Sequence, residues 1–161
     1  MARSFRIAIL VGVLATLVVG VGAVAARPGH GRLVDTSLAG LPATFTGKLL
    51  AGVTGAGHPW DIQEGHARLD RDGQLELEVQ GLVLSHTAAG VPPTEGTNPI
   101  PTGRAVVSCN GGADIVMSDI VNFSVPTGDA EVDQKLALPS QCLAPTVFFT
   151  SAGGAWFAVS G

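Results

Sequence analysis

From residue 43 onward the apolar positions come in short runs separated by Gly, Pro, Asp and Asn, and none repeats with the 3.6-residue period of a helix. The runs predict strands over Ala43–Leu50, Glu64–Asp70, Gln74–Leu84, Arg104–Cys109, Ile115–Met117, Ile120–Val125, Ala130–Leu138, Thr146–Ser151 and Ala155–Ser160. Many short strands with turn residues between them predict an all-β fold, an antiparallel β-sandwich or flattened barrel of about seven to nine strands.

Two stretches specify more than strand identity. In Ala130–Leu138 the even positions are Ala130, Val132, Gln134, Leu136 and Leu138, and the odd ones Glu131, Asp133, Lys135 and Ala137. That alternation predicts one buried and one wet face. Around Arg71-Asp72-Gly73 the pattern selects a register. A two-residue loop would set Leu69 against Glu76 and mix the faces. A three-residue loop sets Leu69 against Leu75, Ala67 against Leu77, Arg68 against Glu76 and His66 against Glu78. Opposed residues share a face, so the second register is predicted, with Gly73 in the left-handed position of a bulged turn. Past Val79 the alternation breaks at Gly81-Leu82, which predicts a bulge or a segment covered on both faces.

The amino terminus follows a different pattern. Arg3 and Arg6 precede an uncharged run, Ile7–Gly22, and small residues close it at Ala23-Val24-Ala25-Ala26. A positive start, an apolar middle and a small-residue exit predict a secretory signal-peptide helix over 1–26, cut after Ala25 or Ala26. Left uncut, this segment is long enough for a membrane anchor, the one membrane contact the sequence suggests. Residues 27–42, Gly- and Pro-punctuated, read as a tether or loosely packed arm. Residues 43–161 read as a single β-sandwich domain. The mean hydropathy of +0.39 owes much to the amino-terminal run.

Composition narrows the class. Apolar residues are 46% and charged residues 14% of the chain, which excludes a disordered polyelectrolyte. A formal charge of -4 argues against a nucleic-acid binder, which needs a basic face, and export would leave seven basic against thirteen acidic residues. Both cysteines, Cys109 and Cys142, lie in the part to be exported, and an even count there predicts a disulfide. Closing that loop stabilises the fold by roughly 3.5–4 kcal/mol in the chain-entropy account.

Candidate chemistry is sparse. His30, His58, His66 and His86 have no metal-ligand spacing, and His66 reads as the partner of Glu78 on a wet face. There is no G-x-S-x-G elbow, so no catalytic residue is assigned. Asp70/Asp72, Glu76/Glu78 and Glu131/Asp133 read as solvated sheet positions. Asp70-Arg71-Asp72-Gly73 opens like a calcium-binding EF-hand loop, but Gly81 stands where its bidentate Glu belongs. Asn122-Phe123-Ser124 fits the N-x-S glycosylation pattern inside an expected strand. The connection 85–103 has Pro at 92, 93, 99 and 101, and a loop of this length is where a binding site is sought first. The pairs Phe148-Phe149 and Trp156-Phe157 point to both faces of their strands, so one member of each is exposed or covered by a further element. With Trp60 they are candidates for a small carbohydrate or partner platform.

The set His58-Pro59-Trp60, Gly65-His66-Ala67-Arg68-Leu69 with Asp72-Gly73-Gln74-Leu75, Val79-Gln80-Gly81-Leu82-Val83, Val107-Ser108-Cys109 and Gly154-Ala155-Trp156-Phe157-Ala158 resembles a group of small exported actinobacterial proteins of unknown function. The hairpin and its following Gly-Leu are also similar to CHRD domains, extracellular β modules. That family's paired histidines are absent here, where only His86 stands, so the resemblance carries no ligand. The expectation is a secreted or cell-surface bacterial protein, non-catalytic, without cofactor or metal, acting as an envelope or extracellular interaction module with an unidentified partner. The alternative is a small-ligand, metal or glycan binder using His58, Trp60, His86 and the 85–103 loop.

Overall fold

The structure, a computed structural model, describes residues 31–86 and 94–161. The expected signal segment, with its cleavage or anchoring, lies outside the described residues, as do the start of the arm and part of the long loop.

The described residues form strands β1 (Arg32–Gly40), β2 (Leu49–Leu50), β3 (Val53–Thr54), β4 (Trp60–Asp61), β5 (Glu64–Asp70), β6 (Gln74–Gln80) and β7 (Val83–Leu84). There follow β8 (Thr102–Cys109), β9 (Asp114–Met117), β10 (Val121–Asn122), β11 (Ala130–Lys135), β12 (Thr146–Ser151) and β13 (Trp156–Ser160). One nine-stranded antiparallel sheet runs β10-β8-β12-β13-β1-β5-β6-β11, with β9 also paired to β8. The pairs β2–β3 and β4–β7 are separate small sheets.

The large sheet curls into a half-barrel. Its β11 edge meets the β9–β10 connection through side chains. The Asp119 amide donates to Oε1 of Gln134 at 2.8 Å, and Gln134 Nε2 donates to Oδ2 of Asp119 at 3.0 Å. Gln134, a polar residue on the face that alternation marks as buried, is thus spent on joining two edges. Covered edges do not template pairing with another chain.

Apolar side chains fill the curl. Val34 and Leu38 of β1, Ala67 and Leu69 of β5, Leu75, Leu77 and Val79 of β6, and Val132 of β11 are buried with Val107 and Phe149 from the other half. Fully burying each large member stabilises by about 1.5–3 kcal/mol. The β5–β6 register is the expected one: Leu69 faces Leu75, Ala67 faces Leu77, Arg68 faces Glu76 and His66 faces Glu78. Gly73 has φ +90° and its amide donates to Asp70 O at 3.0 Å. A Cβ there would collide with the Leu136 carbonyl, so the turn needs glycine on two counts.

The other half has two layers. Val106, Phe148 and Trp156 lie on the outer side of β8, β12 and β13 and are nevertheless buried. The segment carrying β2 and β3 covers them: the Ala56 amide donates to Trp156 O at 3.0 Å, and Ser108 Oγ donates to Ala51 O at 2.6 Å. Both members of each aromatic pair are therefore buried. In the β12–β13 register Phe149 faces Ala158 and Thr150 faces Trp156, which leaves Phe157 as the extra residue of a bulge. Two successive residues of a bulge face one partner residue, so Phe157 joins the side of Phe149.

Three sequence expectations change. Residues 32–40, expected inside a loose arm, form β1, hydrogen-bonded between β5 and β13. Its inner positions are Val34, Thr36 and Leu38, and the polar Thr36 in the middle hides the alternation; its hydroxyl donates to Gly161 O at 2.7 Å. The expected strand 43–50 is instead a 3-10 turn at Ala43–Phe45 and the two-residue β2, because Gly47 takes φ +65° between them. The run 74–84 breaks after Gln80. Gly81 takes φ +59°, its amide donates to Asp129 Oδ1, and β7 leaves the large sheet to pair with β4.

Cys109, at the end of β8, is bonded to Cys142, with Cα atoms 4.8 Å apart. Asn110 reinforces the link. Its Nδ2 donates to Gln141 O at 2.9 Å and its Oδ1 accepts from the Leu143 amide at 3.0 Å.

Candidate functional site

The β4–β7 pair sets up a cleft at one end of the fold. Trp60 faces Leu84 in that pair, and both are buried. The chain is held on each side by backbone hydrogen bonds: Trp60 N donates to Leu41 O at 2.9 Å, Leu41 N to Phe157 O at 2.8 Å, and Ser85 N to Pro59 O at 3.0 Å. A Cβ on Gly40 would collide with the Trp60 carbonyl, so this close approach of β4 to β1 requires glycine. The Trp60 ring lies 4.2 Å from Phe157 and 6.1 Å from Phe123, centroid to centroid, and Phe123 stands edge-on to Phe149 at 5.0 Å. The cleft floor is thus continuous with the core.

The loop after β7 makes the facing wall. Leu84 N donates to Thr97 O at 3.0 Å, and Gly96 N to Leu84 O at 2.8 Å. Asn98 is fully buried and anchors the next turn. Its Nδ2 donates to Ile100 O at 2.7 Å and Ser124 O at 3.0 Å, its Oδ1 accepts from the Ile100 amide at 2.8 Å, and its own amide donates to Pro126 O at 2.8 Å. Five hydrogen bonds made by one buried side chain and its amide, counting Nδ2 to Phe123 O at 3.4 Å, fix the wall. The result is a cleft of about 480 Å³, lined by Ala56, Gly57, His58, Trp60, Leu84, Thr94, Pro99, Ile100, Ser151, Ala155 and Phe157.

Of the three ligand candidates read from sequence, His58 and Trp60 meet in this cleft, together with Thr94, Pro99 and Ile100 of the 85–103 loop. His58 is exposed at the rim and Trp60 is floor, 3% exposed. His86 is not among the lining residues; its ring rests over Gly96 of the same loop. Leu84, Ser151 and Ala155 carry no sequence signal for this role: Leu84 comes here because β7 leaves the large sheet to pair with β4, and Ser151 and Ala155 come from the β12–β13 turn. Asn98 carries a faint one, as a lone amide among prolines.

The wet face of β5, β6 and β11 holds the paired carboxylates. Glu131 faces Glu78 and Asp133 faces Glu76 across β6 and β11. Arg68 Nη1 donates to Glu76 at 3.4 Å, and Gln74 Nε2 to Asp133 Oδ1 at 2.6 Å. His66, expected to pair with Glu78, bonds instead through Nε2 to Asp35 Oδ1 at 2.8 Å, because β1 lies on its other side. That bond, with Arg32 beside it, holds the Asp35 carboxyl below its ordinary range. The Thr127 hydroxyl and the Gly81 amide do the same for Asp129. Among the described residues no three His, Cys, Asp or Glu side chains converge as metal ligands would.

No family model matches this chain, and neither does any curated protein or solved structure.

Proposed function

We propose that this is an exported, non-catalytic β-sandwich protein of the bacterial envelope or extracellular space, and that it works as a binding module through the cleft over Trp60 and Phe157. The observation that carries the reading is the cleft itself. It is preformed, its walls are hung on backbone hydrogen bonds and on Asn98, and it gathers His58 and Trp60 with Thr94, Pro99 and Ile100. Small-molecule sites are typically concave, largely apolar and preformed. The Cys109–Cys142 bond is compatible with an oxidising compartment and supports export. The resemblance to small exported actinobacterial proteins and to extracellular β modules points the same way.

The test is to express the full chain in an actinobacterial host and to recover it from outside the cell. Intact mass should show a chain beginning at Ala26 or Arg27 and lacking the two hydrogens of a dithiol. Recovery only in the cytosol, at full length and with two reactive thiols, overturns the export reading. Binding at the cleft is read by tryptophan emission and melting shift across a panel of apolar molecules, sugars and metal ions. No response from any of them removes the binding reading.

A further inference from the structure

The cleft's lining also says what class of molecule it takes, provided the binding reading above holds. Among the described residues, no Asp, Glu, Lys or Arg lines it. This sets it apart from the clefts on the wet sheet face, which are lined by Glu78 and Glu131 together with Glu76 and Asp133 in one and Asp129 in the other. The floor is Trp60, Leu84 and Phe157, each buried, and the outer walls are Pro99, Ile100 and Ala155. The polar side chains at the lining are two hydroxyls, Thr94 and Ser151, and the His58 ring. Ser151 Oγ already accepts a hydrogen bond from the Ala155 amide at 3.1 Å.

We infer that the site takes an uncharged, predominantly apolar small molecule, held by burial against Trp60 and Phe157, with room for one polar end toward His58. Three physical points select this class. An ion placed here would leave water without a charged partner, which is strongly unfavourable. A sugar needs an open aromatic face and several convergent hydrogen-bonding side chains. Trp60 is only 3% exposed, with the Phe157 ring centroid 4.2 Å away. The volume of about 480 Å³ lies within the range of about 300–1,000 Å³ for small-molecule pockets.

The experiment titrates the exported protein with the neutral dye N-phenyl-1-naphthylamine and displaces it with dodecanol, dodecanoate and dodecyltrimethylammonium. Dye fluorescence should rise on binding. Dodecanol should displace it at concentrations at least about tenfold below either charged analogue, since a tenfold difference is only about 1.4 kcal/mol of uncompensated charge burial. Pro99→Asp and Ala155→Asp, which put a carboxylate into the lining from two separate segments of the chain, should each weaken the dye by at least about tenfold. Leu143→Asp, at an exposed site that does not line the cleft, should leave it unchanged. Melting curves establish that each variant is folded, and either wall variant alone suffices.

Equal or better displacement by a charged analogue overturns the inference. So does dye binding that both folded wall variants leave intact. A sugar or ion that binds in a wall-sensitive way while the dye does not overturns the ligand class but leaves the cleft as a binding site.

Discussion

The rings of Trp60 and Phe157 lie 4.2 Å apart with planes inclined at 34°, although Trp60 belongs to a two-residue strand and Phe157 is the extra residue of a bulge. Without the bulge, Phe157 would lie on the side of Phe148. With it, Phe157 joins the main core to the cleft floor. Trp60→Ala should therefore reduce stability by about 3–5 kcal/mol, the range for emptying a buried large aromatic site. Trp60→Phe, which keeps a ring against Phe157, should lose less. Chemical denaturation of both variants checks the order, and equal losses would mean that the ring contact does not matter.

Acid should weaken the fold through Asp35 and Asp129. Both carboxyls are held below their ordinary value of 3.8 in the folded chain, by His66 and Arg32 in one case and by Thr127 and Gly81 in the other. A depressed folded value means that the unfolded chain binds protons first as pH falls. The stabilisation is complete above the ordinary value and is lost as pH drops through the folded values. Melting temperature should fall between about pH 5 and about pH 3. Asp129→Asn, which keeps an acceptor for the Gly81 amide, should flatten part of that slope. An unchanged slope would refute the assignment.

Removing the disulfide in a Cys109→Ala/Cys142→Ala variant should cost about 2–5 kcal/mol. The fold should survive under mild conditions, because Asn110 independently ties residues 141 and 143 to the end of β8. Adding Asn110→Ala to the double variant should release the segment, visible as rapid amide exchange at Leu143. Protection that persists in the triple variant would show that another contact holds it.

Gly73→Ala tests the hairpin register. Its φ of +90° and the nearby Leu136 carbonyl leave no place for a methyl group. Destabilisation should exceed the roughly 1–2 kcal/mol that a left-handed backbone alone costs a non-glycine residue. Gly154 has a similar φ, +91°, but nothing near its Cβ position, so Gly154→Ala is the matched control and should cost less.

Gln134 and Asp119 close the half-barrel by exchanging two hydrogen bonds. A double-mutant cycle on Gln134→Ala and Asp119→Ala should give a coupling of about 0.5–1.5 kcal/mol. Opening the edge should also promote self-association at high concentration, measured by sedimentation. Zero coupling would separate the two residues energetically.

Local pattern was enough for the all-β class, the Cys109–Cys142 pairing and the register around Gly73. The class and the register depend on interactions between neighbours along the chain or on a parity rule, since a slip of one residue would move Leu69 and Leu75 off the buried face. The disulfide follows from there being two cysteines. The cleft did not follow from such rules. His58 and Trp60 were visible as loop residues rich in chemistry, but their meeting with Phe157, Leu84 and Ile100 depends on where β7 goes after Gly81 and on a bulge that turns one aromatic residue. The same limit misplaced β1, whose inner Thr36 disguises a strand, and hid that His66, opposite Glu78 as expected, hydrogen-bonds to Asp35 on its other side. Periodicity reports which face of a strand is buried; it does not report which strand lies alongside, and hydrogen-bond partners far apart in the chain are settled only when the sheet curls and its edges meet.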